Sequence, residues 1–131
     1  MRPPRPPTGG LTIWVPCELK NYANHGGHWT GKARYQRALR DKTHILALER
    51  RDTWDHGHDK AETPKNVMLE MHVWNYFDEH DGLRNACKPI VDGLVNAGVI
   101  DNDAPSSGHL FLYTQILNRK MRGVLITVTP R

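Results

Sequence analysis

The stretch Asp78-Glu79-His80-Asp81-Gly82-Leu83 gathers three carboxylates within four residues, directly ahead of a segment with helical spacing. Acids in that place have two uses. A carboxylate at a helix start accepts the unpaired amides of the first turn, which makes Asp81 an N-cap. Clustered carboxylates also supply the several oxygen ligands that a hard cation such as magnesium takes in near-octahedral geometry, which makes Glu79 and Asp81 metal ligands. A second source of acid stands at Ile100-Asp101-Asn102-Asp103, where the chain has reversed after the helix and can return towards its start. That stretch equally suits a turn, because Asp and Asn side chains bond their own backbone. Asp81, Asn85, Lys88 and Asp92 follow at steps of four, three and four and form a polar stripe opposite an apolar face. Such a stripe is either merely solvated or holds Lys88 close to a phosphate.

These residues need a strand to deliver them and a helix to carry them. Val67, Leu69, Met71 and Val73 alternate with Met68, Glu70, His72 and Trp74, which predicts a central strand with one buried face. Leu83, Cys87, Ile90, Val91, Leu94 and Val95 recur at helical spacing up to the stop Asn96-Ala97-Gly98. Pro89 removes one helical hydrogen bond, so this helix is either kinked at 89 or regular only from about Asn85 onward. Upstream, Leu11 to Val15 reads as a first strand ended by Pro16, followed by a loop over 17–29. From 30 to 51 the pattern is helical, with Tyr35, Ala38, Leu39, Ile45 and Leu46 on one side and Arg37, Arg40, His44 and Arg51 on the other. The polar residues 52–64 read as a surface loop. Downstream, Leu110 to Leu117 and Val124 to Val128 predict two strands around the basic turn Asn118-Arg119-Lys120-Met121-Arg122-Gly123. The order β-α-β-α-β-β, about four strands with two main helices, predicts an α+β domain, a mixed sheet layered with helices.

The chain of 131 residues fits one domain, expected over 11–131, with residues 1–10 too rich in Pro and Gly to be more than a flexible tail. Lysines and arginines number 18 against 14 acids, a net charge of +4, which tilts the partner towards a polyanion. Phosphate contacts would come from Lys32, Arg34, Arg37, Arg40, Arg51, Arg119, Lys120 and Arg122, with Trp29 and Tyr35 to stack on unpaired bases. The alternative is a solvated basic face. Cys17 and Cys87 have no CxxC spacing and read as reduced core thiols of a cytoplasmic protein. Trp14 and Trp74 read as core or interface aromatics. No apolar run is long enough to span a bilayer, so no membrane partner is expected. The pairs His25-x-x-His28 and His56-x-His58 raise zinc, but neither has a cysteine partner at structural-zinc spacing.

Three stretches together resemble the RusA family of Holliday junction resolvases, especially its phage-encoded members. The family has an acid pair of the form DxDN, then a helix of the form KxxxDxL; here stand Glu79-His80-Asp81-Gly82 and Lys88-Pro89-Ile90-Val91-Asp92-Gly93-Leu94. Its DD pair is matched by Asn102-Asp103, and His28-Trp29-Thr30-Gly31-Lys32-Ala33-Arg34 leading into Arg40-Asp41 is similar to phage members. The resemblance implies a homodimer that binds four-way DNA junctions in the bacterial host cytoplasm and nicks two opposed strands. It also implies magnesium, with manganese as a substitute, held by Glu79, Asp81 and Asp103, with Lys88 on the phosphate. The sequence departs from the pattern at Glu79, Gly82 and Asn102, where the family has Asp, Asn and Asp, and Asp78 is a further candidate for the first ligand. Those departures motivate a competing expectation, a homodimer that holds branched DNA without cutting it.

Overall fold

The computed structural model describes residues 10–20, 29–56, 59–77 and 82–131. Within them the chain runs β1 (Leu11–Pro16), α1 (Trp29–Arg51), β2 (Lys65–Val73), α2 (Gly82–Asn96), β3 (Leu110–Leu117) and β4 (Gly123–Pro130). This is the expected order of an α+β domain with a mixed sheet. The strands lie in the order β1-β4-β2-β3. β4 runs antiparallel to both β1 and β2, whereas β3 runs parallel to β2. A parallel pair needs a crossover connection, and α2 is that crossover.

Alternation decides which face is covered. Ile126 stands opposite Ile13 on one side and Leu69 on the other, so three strands put apolar side chains in one row. Leu39 and Ala47 of α1 and Ile90, Val91 and Leu94 of α2 join that row in a single core. Met68, Leu110, Leu112 and Ile116 have the opposite parity and stay exposed. As its pattern predicts, β2 lies inside the sheet.

The side of α1 that packs is rotated from the one its spacing suggests: Leu39 is buried and Tyr35 and Leu46 pack against the core as expected, but two of the five stay outside. Ile45 is 59% exposed and Ala38 is exposed too. The buried line is Leu39, Thr43 and Ala47, at steps of four. Small side chains are required there because the helices touch closely: a Cβ on Gly93 of α2 would lie 2.7 Å from the Arg40 carbonyl oxygen and from Thr43 Cβ. Thr43 is tolerated in the core because its hydroxyl donates to the Leu39 carbonyl at 2.9 Å. Arg40 and Arg51, expected opposite the core, are half-buried, and Arg51 Nη1 donates to the Ala97 carbonyl at 3.0 Å.

Two residues around the expected surface loop 52–64 are also buried. Trp54 is 8% exposed and belongs to the core. A single aromatic among polar residues has no period to betray it. Lys65, the first residue of β2, is 2% exposed, and its ammonium donates to the Lys60 and Thr63 carbonyls at 3.1 Å each. Burial lowers its pKa, against the pull of Asp59, Asp101 and Glu62.

Pro89 does not interrupt α2, which runs from Gly82 to Asn96. The helix ends where Asn96-Ala97-Gly98 predicts. Gly98 takes φ +76°, its N–H donates to Val95 O at 3.0 Å and the Val99 N–H donates to Leu94 O at 3.1 Å. These are the paired bonds of a Schellman cap, whose left-handed residue glycine adopts without strain. Among the described residues no helix is long and apolar enough to cross a membrane.

Candidate functional site

The reversal after α2 brings the second acid stretch back along the helix. Asp101 and Asn102 build the turn: the Asn102 N–H donates to Asp101 Oδ1 at 3.0 Å, and Asn102 Oδ1 accepts from the Ala104 N–H at 2.9 Å. Asp101 and Asn102 thus serve the turn, as the turn reading of this stretch requires, and the Asn102 side chain is spent locally. That of Asp103 is not. Its Oδ2 lies 2.7 Å from Lys88 Nζ, and the same ammonium lies 3.0 Å from Asp92 Oδ1, one helical turn further on. Helical spacing of four accounts for the second contact, so Pro89 leaves the alignment of Lys88 with Asp92 intact.

The two carboxylates hold this ammonium firmly in the charged state. Burial by itself would lower the Lys88 pKa, but the hydrogen bonds to Asp103 and Asp92 outweigh it and the net direction is up. The same hydrogen bond from Lys88 is the main reason that the Asp103 carboxyl sits below the usual carboxylate range.

Asp103 lines a cavity of about 330 Å³ together with Leu83 and Arg84 from the first turn of α2, His109 just before β3, and Phe111 and Tyr113 of β3. The chain therefore does return near the beginning of that helix. Phe111 and Tyr113 stack with ring centres 6.5 Å apart, and burial pushes the Tyr113 phenol up to about 12, so it is neutral at ordinary pH. Arg84 is exposed, and its charge also lowers the Asp103 pKa.

His109 was not singled out by its sequence context, yet it organises one wall. Its Nδ1 faces the Lys65 backbone nitrogen at 3.2 Å. A backbone N–H only donates, so Nδ1 accepts and the ring proton sits on Nε2. Nε2 then donates to Asp101 Oδ1 at 2.6 Å, the chief cause of the lowered Asp101 pKa. The one available signal was parity: His109 precedes Leu110 on the same side of the strand as Phe111 and Tyr113.

Glu79 and Asp81, with Asp78, lie outside the described residues, as do the zinc candidates His25, His28 and His58. Among the described residues no group of three His, Cys, Asp or Glu side chains is placed to hold a metal ion. What Asp103 offers is carboxylate oxygen at the wall of that cavity. That chemistry fits a hard divalent cation, provided further oxygen ligands complete its shell.

The basic residues fall on two separate elements. Lys32, Arg34, Arg37 and Arg40 belong to α1, where Arg34 and Arg37 are exposed and Arg40 Nε lies 3.7 Å from Asp41. Arg119, Lys120 and Arg122 sit in the turn between β3 and β4, with both guanidiniums against the Trp74 ring. Two aromatics have their expected roles narrowed. Tyr35 is not free to stack, since its hydroxyl accepts from the Lys20 N–H at 2.8 Å and its ring packs against the core. Of the two roles expected for Trp74, core or interface, its 47% exposure removes the core. No protein-family model matches the chain, and no curated protein matches it either.

Proposed function

We propose that the chain is a magnesium-dependent, structure-selective endodeoxyribonuclease of the RusA type, which nicks four-way or branched DNA as a homodimer in the bacterial host cytoplasm, phage-encoded and serving recombination, repair or phage replication. The observation that carries this reading is the meeting of Asp103, Lys88 and the first turn of α2, the segment that directly follows Asp81. Glu79, Asp81 and Asp103 would hold the metal, magnesium or manganese in its place. When bound, that ion supplies an activated water and neutralises charge on the leaving oxygen. Asp103 contributes a carboxylate that is ionised throughout the neutral range, and Lys88 fixes its position through the 2.7 Å contact. Lys88 also keeps a permanent positive charge where a crowded phosphate needs one. The basic side chains of α1 and of the β3–β4 turn neutralise flanking phosphates. Two opposed nicks need two sites, hence the dimer.

One observation favours the non-cutting alternative. Asn102 stands where the family has the first acid of its DD pair, and its amide is spent on the turn. The deciding experiment incubates the protein with a labelled synthetic four-way junction and a matched duplex, with magnesium or EDTA, beside Asp81→Asn and Asp103→Asn. Paired, magnesium-dependent nicks in the junction that both variants lose support the resolvase. Junction binding without nicks, retained in both variants, supports the binding dimer.

A further inference from the structure

The β3–β4 turn packs Arg119, Lys120 and Arg122 into four residues. Like charges so close repel, and long cationic side chains in a free turn spread into water. Here two of them are held. Arg119 Nε donates to the Trp74 carbonyl at 3.2 Å, and its guanidinium lies 5.0 Å from the centre of the Trp74 ring. The Arg122 guanidinium lies 5.2 Å from the same centre.

The turn beneath them is itself tied down. The Asn118 N–H donates to Val73 O at 3.0 Å, Asn118 Oδ1 accepts from the Met121 N–H at 3.1 Å, and Asn118 Nδ2 donates to His72 Nδ1 at 2.9 Å. His72 Nε2 in turn donates to Glu70 at 2.8 Å. Gly123 closes the turn because only a residue without a side chain fits: a Cβ there would lie 2.6 Å from Val15 O and 2.7 Å from the Trp14 ring.

Among the described residues no carboxylate pairs with Arg119, Lys120 or Arg122. Among those residues the positive charge is organised by an indole face and a carbonyl and is met by no carboxylate. Stacking against a ring occupies the face of a guanidinium and leaves its in-plane N–H donors free, and that planar fork matches a phosphate. Tyr76 nearby in sequence is 61% exposed, and Trp74 is exposed as well, so aromatic surface adjoins the cations.

We propose that Trp74, Arg119 and Arg122 form a ready-made clamp for the phosphodiester backbone of DNA, on elements distinct from the cavity at Asp103. This rests on the reading that the chain acts on DNA and adds the part that grips it. Trp74 acts as a positioning residue: it orders both guanidiniums before DNA arrives, so that ordering is not charged against binding.

The test measures binding of a fluorescent four-way DNA junction by anisotropy, in EDTA, over a range of salt concentrations. For Arg119→Gln with Arg122→Gln, the slope of log affinity against log salt becomes shallower by about two, one per lost phosphate contact. Trp74→Leu keeps both charges, so its slope stays close to that of the unmodified chain while affinity falls about threefold to tenfold. All of these side chains are at the surface, and unchanged thermal melts show that the variants fold. An unchanged slope in the double variant, or full affinity in Trp74→Leu, overturns the clamp. A chain that cuts with magnesium yet shows an unchanged slope leaves the nuclease standing and removes the clamp. The expected slope change in a chain that never cuts does the reverse.

Discussion

Lys88 Nζ joins Asp103, 2.7 Å away in the loop after α2, to Asp92, 3.0 Å away on α2 itself. One ammonium thus fixes the returning chain against the helix that it left. Asp103 has a lowered pKa, so its share of stability is complete above the usual carboxylate range and is lost as pH falls through the lowered value. Lys88 has a raised pKa, so its share is present below the usual lysine range and is lost as pH rises through the raised value. The link is therefore intact at all pH values between.

Lys88→Met should let the Asp103 carboxyl titrate at a higher pH, nearer the ordinary carboxylate value. Carboxyl NMR titration reads this directly, and an unmoved Asp103 would contradict the pairing. Because both side chains are partly exposed, the loss of stability should stay below about 1 kcal/mol.

Gly93→Ala tests the closeness of α1 and α2. A methyl group there meets the Arg40 carbonyl oxygen and Thr43 Cβ at 2.7 Å, and backbone cannot give way as a flexible side chain does. The expected cost of overpacking is about 1–3 kcal/mol. It should show as a lower urea midpoint with an unchanged slope, and a neutral effect would mean that the helices stand further apart.

His109→Leu removes the acceptor of the buried Lys65 N–H and the donor to Asp101. An orphaned buried donor costs about 1–3 kcal/mol, whereas Asp101→Asn, at an exposed position where the amide oxygen still accepts, should cost clearly less. Urea unfolding of the two variants checks the order, and equal losses would argue against the tautomer assigned to His109.

Both thiols should be inert in the folded chain. Burial pushes the Cys17 thiol up to about 11, and it raises the Cys87 thiol still further. At pH 8 the Cys17 thiolate is then only about one part in a thousand, and the thiolate is the reactive form. Ellman's reagent should find neither thiol on mixing, and both in denaturant. Fast reaction of one thiol in native protein would show that its surroundings are open.

Much of the fold was legible because burial leaves a period. Val67, Leu69, Met71 and Val73 announce β2 and its buried face, and Gly98 announces the end of α2, since both signals are local. The packed side of α1 is legible only in part, at Tyr35, Leu39 and Leu46, for the opposite reason. Thr43 packs where Gly93 of α2 comes close, and hydrophobicity alone does not reveal that Ile45 and Ala38 are left outside. Trp54 is buried by a core that other elements supply, and Lys65 is buried with its ammonium on the nearby Lys60 and Thr63 carbonyls, so neither burial leaves a period in the sequence.

The sequence by itself determined the order of the elements, the step of four from Lys88 to Asp92, and the excess of positive charge on α1 and the β3–β4 turn, while the unbroken course of α2 through Pro89 was decided by the fold. The first three depend on residue type and on contacts a few positions apart. Only the tertiary structure decided that Asp103 takes Lys88, that His109 ties Asp101 to Lys65, and that Trp74 gathers Arg119 and Arg122. Each of those contacts joins positions separated by several turns of chain or more, and it is the packing of α2 and the pairing of β2 with β3 and β4 that bring them within hydrogen-bonding or stacking distance.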